Sequence, residues 1–593
     1  MSRRALLRAT GYAGLALATS GARMVRRRPR VVVLGGGVAG LTAAHELAIR
    51  GFDVVVVEAR AWGGKARSTE LAGSATGGRA PLPGEHGFRI EFGFYENLPD
   101  TLRRIPFGSS PNGTFDNLVT APQAVWARKG GRRNVTLPVS PRQPAHTPQQ
   151  VIDTIIGLLV ETDLPPDVAA RFASRMAVYM SSCDERRLGQ WERVPWSEFI
   201  RDSEEAGDVH RFFGLTFAQF LQAAKSDDAS AHFSARMFEL FAYTVLGRGT
   251  DASLLRVFDA PTNEAWIDPW IRELERLGVD LRLGHTVERL HLSDGMVRAA
   301  TVTTKRGTTH LTADWFVSAL PIERAAGLWD RHVLRADPSL ARIAALQTAW
   351  LNGLQIYLNE LTPLAKGHVL CVDSPWVVSV IAQGQFWRKD FASSWGDGTA
   401  RDCLSAVISN WNSPGVVFGK PARECSDEEI LTEVWTQLKA HVNSERGAVL
   451  TDHLLHSFQI DPGLRRRRGM LHNEDPLTIP SVDSRRHRPE VTTEIPNLLL
   501  TGDFLKGDHL VGNMEAANVN SRRAVNALLE QAGSRESPAP IVDWYVPPEW
   551  APAKEVDLIR WRQGKPHVLD SPLFDTDAQP DLVPNLDALT PSD

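Results

Sequence analysis

Three glycines near the N-terminus have a spacing that suits one kind of chemistry, the binding of a pyrophosphate. Gly35, Gly37 and Gly40 lie between the apolar run VVVL and the segment LTAAHELAIR, which has helical character. Gly35 permits a tight turn, Gly37 lets the backbone approach a pyrophosphate, and Gly40 lets the helix pack on the strand. The start of that helix offers unpaired N–H groups to the phosphates. Glu58 ends a second apolar run, where it can accept hydrogen bonds from a ribose, so the sequence predicts a dinucleotide site.

The residues that follow Glu58 indicate which dinucleotide is bound. The stretch EARAWGGKARS resembles the second glycine motif of FAD-dependent amine oxidases and carotenoid-type desaturases, in which a cation lies near the pyrophosphate. The residues that carry the match are Arg60, Gly63, Gly64, Lys65 and Arg67. The family usually has arginine where Lys65 stands. The resemblance therefore implies that the phosphate is contacted by the compact ammonium group of a lysine rather than by two N–H groups of a guanidinium. The resemblance also implies that the protein is an FAD-dependent oxidoreductase.

Three further segments extend this resemblance over most of the chain. GEHGFRIEFGFYENL looks like a region of phytoene desaturases and of hydroxysqualene dehydroxylase-like enzymes. The segment around Val287 resembles the strand whose backbone meets adenine. Near the C-terminus, LLLTGDF and GNMEAAN look like the final flavin motif, in which Gly502 precedes Asp503 at the ribityl and pyrophosphate region. The backbone of Met514 then faces the N1 and O2 side of the flavin, at a helix start that favours negative charge on the reduced ring.

The elements that must position these residues are separated along the chain. The predicted fold class is α/β, with a discontinuous Rossmann-type FAD-binding domain, glutathione reductase-like, formed by residues 25–106, 255–330 and 465–535. Residues 107–254 and 331–464 are expected to form an inserted α+β substrate domain. Residues 536–593 are expected to wrap the surface and to be partly disordered at their end, because proline, tryptophan and then aspartate are frequent there.

Two kinds of flavin chemistry are compatible with the predicted fold. In the amine oxidase branch a lysine lies over N5 and an aromatic cage orients the amine, and one cage residue precedes the Met-Glu pair. Here that position is Asn513, and residues 341–360 contain no lysine. The sequence therefore favours a desaturase- or dehydrogenase-like enzyme that transfers a hydride between a largely apolar, isoprenoid- or polyene-like substrate and flavin N5. An amine oxidase and a non-catalytic FAD-binding protein remain the alternatives.

Polar residues in the desaturase-like segment suggest a substrate with a polar group. Arg89 and Glu91 replace a histidine and an aromatic residue of plant desaturases. Arg89, Glu91 and Asn513 are the candidate catalytic residues, with Glu91 as the base that removes the proton accompanying hydride transfer. The alternative is that Arg89 and Glu91 pair with each other, or that strand alternation points one of them outward. His86 and Tyr95 are weaker candidates in the same neighbourhood.

The aromatic middle of the chain is expected to hold the substrate. Residues 149–250 have a helical pattern with aromatic stripes, and residues 345–410 are rich in strand-forming residues. The stripes contain Phe213, Phe217, Phe220, Met237, Phe238, Phe241 and Val245. We expect many of the 17 tryptophans to line or cap the substrate cavity, those of the strand-rich segment among them. Ser426 and Glu429 predict a capping box at the start of a structural helix.

Composition excludes several classes of partner. With 66 Lys and Arg against 70 Asp and Glu, the formal charge of −4 gives no basis for nucleic-acid binding. Four scattered cysteines predict neither a metal site nor a disulfide framework. Arginine runs at 26–28 and 465–468 leave a peripheral membrane contact open.

The N-terminus predicts where the protein resides. Residues 1–23 have the layout of a twin-arginine export leader, with Arg3 and Arg4 before an uncharged run that ends in small residues. The alternative is a start at Met24, which would leave a cytoplasmic or membrane-peripheral protein.

Overall fold

The computed structural model describes residues 28–570 apart from 88–89, 139–144, 162–163, 202–213, 215, 251–252, 444–446 and 510–511. The leader at 1–23, Arg89, Phe213 and the end of the tail at 571–593 therefore lie outside the described residues.

Strands and helices are interspersed along the described part of the chain. The strands are β1 (Arg30–Leu34), β2 (Asp53–Glu58), β3 (Ser68–Glu70), β4 (Pro83–Glu85), β5 (Glu91–Phe92), β6 (Leu118–Thr120), β7 (Gln123–Ala127), β8 (Val135–Pro138), β9 (Leu255–Phe258), β10 (Asp280–Leu283), β11 (Thr286–Ser293), β12 (Met296–Thr304), β13 (Gly307–Leu311), β14 (Trp315–Ser318), β15 (Thr348–Ala349), β16 (Asn352–Leu358), β17 (Gly367–Cys371), β18 (Val378–Ala382), β19 (Asp402–Ile408), β20 (Leu455–Ile460), β21 (Leu464–Arg467), β22 (Met470–Asn473), β23 (Leu477–Thr478) and β24 (Leu498–Leu500). The helices are α1 (Val38–Ala48), α2 (Asn97–Arg103), α3 (Pro148–Glu161), α4 (Pro166–Ser181), α5 (Asp184–Gly189), α6 (Trp196–Phe199), α7 (Thr216–Gln222), α8 (Ala231–Val245), α9 (Asp268–Arg276), α10 (Ile322–Leu328), α11 (Arg331–Ala336), α12 (Phe391–Ser394), α13 (Asp427–Val442), α14 (Met514–Gln531) and α15 (Ala551–Arg562).

A five-stranded parallel sheet forms the centre of the first domain. Its order is β10-β2-β1-β14-β24, so strands from three distant parts of the chain pair side by side. Val31–Leu34 of the central strand is fully buried, as expected of a strand that is covered on both faces. The predicted α/β class and the discontinuous Rossmann-type domain are confirmed.

Two helices pack together against this sheet. In α14, Ser521 Oγ donates a hydrogen bond to the Ala39 carbonyl of α1 at 2.8 Å, and Asn518 Nδ2 donates to Thr42 Oγ1 at 3.0 Å. The first helix of the glycine motif and the last helix of the flavin motif therefore pack directly against each other. The strands β11, β12 and β13 form an antiparallel meander on the same domain.

A seven-stranded sheet forms the second domain. Its order is β20-β16-β19-β18-β17-β7-β8, with β17 and β7 parallel and the other neighbouring pairs antiparallel. Helices α3–α8 pack at its side, and α13 covers it with its apolar residues. The predicted capping box of Ser426 and Glu429 at the start of α13 is confirmed.

The expectation that tryptophans line the cavity is wrong. The rings of Trp350 and Trp411 pack edge to face beside the seven-stranded sheet, with their centroids 5.4 Å apart. Trp376 is fully buried in the core of that sheet. Trp387 and Trp395 form a separate cluster with Phe391. All seventeen tryptophans lie in the described part of the chain, and none contributes to the wall of the cavity described below. Large flat rings satisfy core packing at this sheet, which the sequence cannot distinguish from a cavity lining.

The boundaries between the domains differ somewhat from the predicted ones. Leu340 and Ile343 belong to the core of the parallel sheet, beyond the predicted limit at 330. Leu471 of the β21–β22 hairpin belongs to the core of the seven-stranded sheet, beyond the predicted boundary between residues 464 and 465. Short segments such as these follow whichever surface they can bury against.

The segment from 536 to 570 packs tightly on the molecule. Trp544 is 5% exposed and Trp550 is 1% exposed. Asp557 of α15 is fully buried and accepts hydrogen bonds from Arg186 Nε and from the Cys183 backbone N–H, both at 2.9 Å. This part of the tail is therefore anchored by buried polar contacts as well as by aromatic rings. Within the described residues, no helix combines the length and hydropathy that crossing a bilayer requires.

Candidate active site

A cavity of about 720 Å³ lies at the carboxyl edge of the parallel sheet. Its wall includes the residues that follow three of the strands, Gly35 after β1, Ala319 after β14 and the loop at Gly502 after β24. Glu58, the last residue of β2, also contributes. The carboxyl ends of parallel strands are where open α/β sheets bind ligands.

The first glycine loop leaves no space for a side chain at Gly35 or Gly40. Gly35 has φ +110°, and a Cβ atom there would lie 2.9 Å from the Ala319 carbonyl oxygen. A Cβ at Gly40 would lie 1.9 Å from the Gly35 oxygen, so Gly40 lies beneath the loop and lets α1 pack closely. Gly37 is the N-cap of α1 and lines the cavity, and the first turn of α1 contains no acidic residue. The unpaired N–H groups of this turn therefore favour an anion in the cavity.

The second glycine loop packs directly against the first. Gly63 and Gly64 have φ values of +88° and +56°, and a Cβ at Gly64 would lie 2.9 Å from Gly37 Cα. Glu58 lies between the loops: its Oε2 accepts a hydrogen bond from Gly36 N and its Oε1 from Arg60 N, both at 2.8 Å. These contacts hold the carboxylate at the cavity, where a ribose hydroxyl can reach it.

The three basic residues of the second motif have acidic partners elsewhere in the chain. Lys65 Nζ lies 2.9 Å from Glu323 Oε1 and lines the cavity. Arg60 and Arg67 both pair with Asp475, and Arg67 also donates to the Gly64 carbonyl at 2.6 Å. Arg60 is part of the cavity wall, whereas Arg67 lies behind it.

Asp475 is a buried residue of the cavity wall that sequence reasoning missed. Its side chain is fully buried, and although burial opposes ionisation, the hydrogen bond from Arg60 and the charges of Arg60 and Arg67 hold the pKa of Asp475 well below its usual range. An ionised Asp475 therefore fixes the direction of both arginines. In the sequence it is one aspartate in the segment NEDP, with no motif to mark it.

The C-terminal motif forms the opposite part of the cavity wall. Gly502, Asp503, Asn513 and Met514 all line the cavity. Burial raises the pKa of Asp503, and the nearby Lys65 charge opposes that shift. Asn513 is the N-cap of α14, and its Oδ1 accepts a hydrogen bond from Ala516 N at 2.7 Å.

Glu515, the next acidic residue of this motif, was also missed. It is fully buried and accepts hydrogen bonds from the backbone N–H groups of Asn97 at 2.9 Å and Leu98 at 2.7 Å. These groups belong to the start of α2, so the carboxylate caps that helix from a distance of more than 400 residues in sequence. GNMEAAN is thereby joined to the segment GFYENL, which contains Tyr95.

The remaining predicted cofactor residue, Val287, lies at the start of β11 and lines the cavity together with His285, Thr286 and Glu288. All the predicted cofactor residues except Gly40 and Arg67 therefore meet at one cavity.

Beyond the glycine loops, much of the cavity wall is hydrophobic. We call this the apolar wall, and it consists of Ile90, Phe92, Phe220, Leu221, Met237, Leu351, Val407 and Leu477. Tyr95 and Gln222 are its polar neighbours in the lining. Of the predicted helical stripes, Phe220 and Met237 reach the cavity, whereas Phe217, Phe238 and Phe241 pack in the hydrophobic core.

Glu91 does not belong to this wall. Its neighbours Ile90 and Phe92 line the cavity, and side chains alternate along a strand, so Glu91 points to the other face, where it is buried opposite Arg256 in the pairing of β5 with β9. Sequence reasoning named strand alternation as the alternative to a base role. His86, the weaker candidate, does line the cavity.

The residues present fit FAD. The two tightly packed glycine loops admit a pyrophosphate backbone, the uncapped start of α1 faces it, Glu58 is held for a ribose, and the start of α14 lies across the cavity. An apolar wall then continues past the glycine loops, as a site that must hold both a flavin and an organic substrate requires.

Comparison with known proteins agrees with this geometry. The family model for flavin containing amine oxidoreductase matches residues 38–529. A zeta-carotene desaturase of Synechocystis sp. is 23% identical over 84% of this chain and 97% of its own length. A 15-cis-phytoene desaturase of Synechococcus elongatus is 20% identical over 84% and 96%, and a carotenoid phi-ring synthase of Streptomyces griseus is 26% identical over 87% and 90%.

Solved structures show the same fold at low sequence identity. The cyclohexylamine oxidase of Brevibacterium oxydans has a TM-score of 0.56 at 13% identity and covers 86% of this chain, with all of that chain matched. An oxidoreductase of Methanosarcina mazei has a TM-score of 0.54 at 14% identity and covers 84%, again with all of that chain matched. With its two glycine loops, its FAD cavity and a family match over most of its length, the chain belongs to the flavin containing amine oxidoreductase family and is an FAD-dependent oxidoreductase.

Proposed function

We propose that this enzyme is a desaturase or dehydrogenase of a largely apolar, isoprenoid- or polyene-like substrate. The apolar wall carries the proposal, because it presents aliphatic and aromatic side chains where the substrate must lie beside the flavin. Burial of an apolar chain there contributes about 25 cal/mol for each Å² removed from water. A binding site of this kind recognises shape and hydrophobicity more than charge.

The described lining of the apolar wall contains no lysine of the kind that an amine oxidase holds over the flavin. Lys65 is the one lysine among the described lining residues. It lies at the glycine loops, and its Nζ is 2.9 Å from Glu323 Oε1. Leu351, in the segment where an amine oxidase would have its lysine, instead contributes an aliphatic side chain. Asn513 caps α14 rather than forming part of an aromatic cage.

The names of the relatives support the same class of substrate. Two of them are desaturases of zeta-carotene and of 15-cis-phytoene, and this chain matches each over nearly the whole of the relative.

The chain's own residues have distinct tasks in this function. FAD, when bound, supplies the two-electron acceptor for a hydride. The glycine loops and α1 hold its phosphates, while the apolar wall orients the substrate and excludes water. Tyr95 is buried, and burial, with the nearby charge of Glu91, raises its pKa well above the usual value, so its hydroxyl stays protonated.

Anaerobic reduction of the bound flavin tests the proposal. Zeta-carotene and 15-cis-phytoene in detergent micelles are mixed with purified holoenzyme, and loss of flavin absorbance is recorded against a panel of primary amines. We expect a polyene to bleach the flavin and the amines to leave it oxidised. Bleaching by an amine, with none by any polyene, would contradict the proposal.

An aspartate placed in the apolar wall tests whether the substrate binds there. Phe220→Asp should lower the rate of polyene-dependent reduction by at least about tenfold, because a buried carboxylate beside an apolar chain is unfavourable. Phe418→Asp changes an exposed phenylalanine and is the control, with the rate of the wild type expected. Equal rates for the two variants would remove the apolar wall from the substrate site.

We also propose that the protein is exported through the twin-arginine leader at 1–23, with translation from Met24 as the alternative. The motif supports export. N-terminal sequencing of the native protein distinguishes them: export predicts a mature terminus after Ala22, and a terminus at Met24 or Val25 would contradict it.

A further inference from the structure

A histidine and a buried aspartate face each other at the cavity. His86 lines the cavity, and its Nδ1 lies 2.8 Å from Asp461 Oδ2. The Asp461 side chain is 1% exposed, and it accepts hydrogen bonds from Asn352 Nδ2 and from Gly463 N, each at 2.8 Å. Two hydrogen bonds thus fix the Asp461 carboxylate. Because the carboxylate is fixed, it can orient the imidazole that faces it.

Asp461 is ionised in this arrangement. Burial opposes the charge, but the neighbouring His86 and the hydrogen bonds to the carboxylate outweigh it and hold the pKa of Asp461 below its usual range. The carboxylate of Asp461 faces Nδ1 of the ring, so the nitrogen considered for proton transfer is Nε2.

His86 lies where the glycine loops give way to the apolar wall. A Cβ at Gly463 would lie 2.9 Å from Asp475 Oδ2 and 3.4 Å from His86 Cε1, so the histidine neighbours the carboxylate that holds Arg60. The next residue, Gly87, lies beside Leu351: a Cβ at Gly87 would be 3.7 Å from the Leu351 carbonyl oxygen. The segment His86–Gly87 therefore neighbours Asp475 on the cofactor side and Leu351 of the apolar wall.

The other polar candidates near the apolar wall do not suit a base. Tyr95 stays protonated, for the reason given above. Glu91 is buried on the other face of its strand. Among the described residues at this junction, the charged groups that face His86 are Asp461, Asp475 and, through Asp475, Arg60 and Arg67.

We propose that Nε2 of His86 accepts the proton released when the substrate is oxidised, and that Asp461 is the positioning residue that orients the imidazole. The inference rests on the proposed function. In a desaturation, one C–H bond breaks as hydride, for which bound FAD would be the acceptor. A neighbouring C–H bond breaks with its proton passing to Nε2, and the electron pair of that bond becomes the new C=C bond.

Anaerobic single-turnover reduction of the holoenzyme tests this assignment. The donor is whichever compound reduces the wild-type flavin, with zeta-carotene as the first choice. His86→Gln and His86→Ala should lower the reduction rate by about 100-fold or more, the usual contribution of a general base. Asp461→Asn should lower the rate less and leave the donor concentration for half-maximal rate unchanged, because the apolar wall is intact.

Two further measurements separate a catalytic loss from a structural one. All variants should retain FAD at the wild-type ratio of flavin absorbance to protein, and added imidazole should restore part of the rate in His86→Ala but not in His86→Gln. His472→Gln changes an exposed histidine on β22 and should behave as the wild type. A wild-type rate in His86→Gln, or loss of FAD without imidazole rescue, would overturn the assignment.

Failure of the proposed function has a different signature. If an amine rather than a polyene reduces the wild-type flavin, the desaturase proposal is wrong. The histidine is then tested with that amine, because oxidation of an amine to an imine also releases a hydride and a proton. A rate loss in His86→Gln with the amine would still support the base, and a wild-type rate would overturn it.

Discussion

Asp475 and Glu515 show how single buried carboxylates assemble this site. Asp475 lies 415 residues from Arg60 and 408 from Arg67, and Glu515 lies 418 residues from Asn97. Each carboxylate satisfies several donors at once, so its removal would leave buried N–H groups or cations without a partner. The cofactor loops are therefore held by charges from the far end of the chain.

Asp475→Asn should weaken FAD binding. The amide cannot pair with both arginines as a carboxylate does, so Arg60 and Arg67 lose their fixed direction. We expect the dissociation constant for FAD to rise about tenfold, equivalent to about 1.4 kcal/mol. Titration of apoprotein with FAD measures the change. Asp294→Asn, at an exposed turn, is the control, and equal dissociation constants for the two variants would contradict the role of Asp475.

At the scale of elements, two helix starts and two glycine loops form the cofactor side of the cavity. The start of α1 has no capping side chain, which leaves its N–H groups for phosphate. The start of α14 has one, because Asn513 accepts a hydrogen bond from Ala516 N. The same kind of element thus serves as an anion site in one place and as a capped end in the other.

Asn513→Ala should cost about 1 kcal/mol of unfolding free energy, and Asn513→Ser should restore most of it, because serine is also a good N-cap. Urea unfolding of both holoenzyme variants measures the difference. Asn513→Ser should also reduce its flavin within a few-fold of the wild-type rate. A stable Asn513→Ser protein with a rate at least tenfold lower would instead give Asn513 a direct part in the reaction.

At the scale of the molecule, the tail joins the helical part of the substrate domain. Asp557 pairs with Arg186 in α5, and Glu549 pairs with Arg248 at 2.6 Å. The Trp544 ring packs edge to face on the Phe94 ring, with their centroids 5.9 Å apart. Phe94 in turn stacks on Phe92 of the apolar wall. The tail is therefore part of the support of the cavity.

Removal of the tail's buried charge should loosen it. Asp557→Ala leaves Arg186 buried without its carboxylate, which we expect to cost about 3–5 kcal/mol. Limited trypsin digestion should then cleave after residues of the tail faster than in the wild type. Glu555→Ala removes an exposed charge from the same helix and is the matched control. An unchanged digestion pattern in Asp557→Ala would show that the aromatic contacts alone hold the tail.

Buried histidines make the whole molecule sensitive to mild acid. Burial lowers the pKa of His45 from 6.5 to about 4, and burial likewise lowers that of His567 to about 4. Because the unfolded chain takes up these protons below about pH 6.5 and the folded chain does not, stability is complete above that pH and is lost as the pH falls toward 4.

His45→Gln should reduce this pH dependence. Between pH 7 and pH 5, His45 accounts for about 2 kcal/mol of lost unfolding free energy, so the variant should lose that much less than the wild type. Glutamine can still accept the hydrogen bond that Trp270 Nε1 donates to His45 Nδ1. Urea titrations at the two pH values measure the effect, with His472→Gln as the exposed control. An equal pH dependence in all three proteins would contradict it.

The amino-acid sequence by itself determined the local features of this protein. Gly35, Gly37 and Glu58 could be assigned because turn, helix start and strand end are specified within one short segment, and the order of such segments gave the Rossmann-type fold and FAD. The tertiary structure alone decided which distant side chains meet. Asp475 and Asp461 have no local pattern, and the tryptophans pack in cores because burial depends on what surrounds a ring, which hydrophobicity along a sequence does not specify. For the same reason, strand alternation in three dimensions turned Glu91 away from the cavity and left His86 facing it.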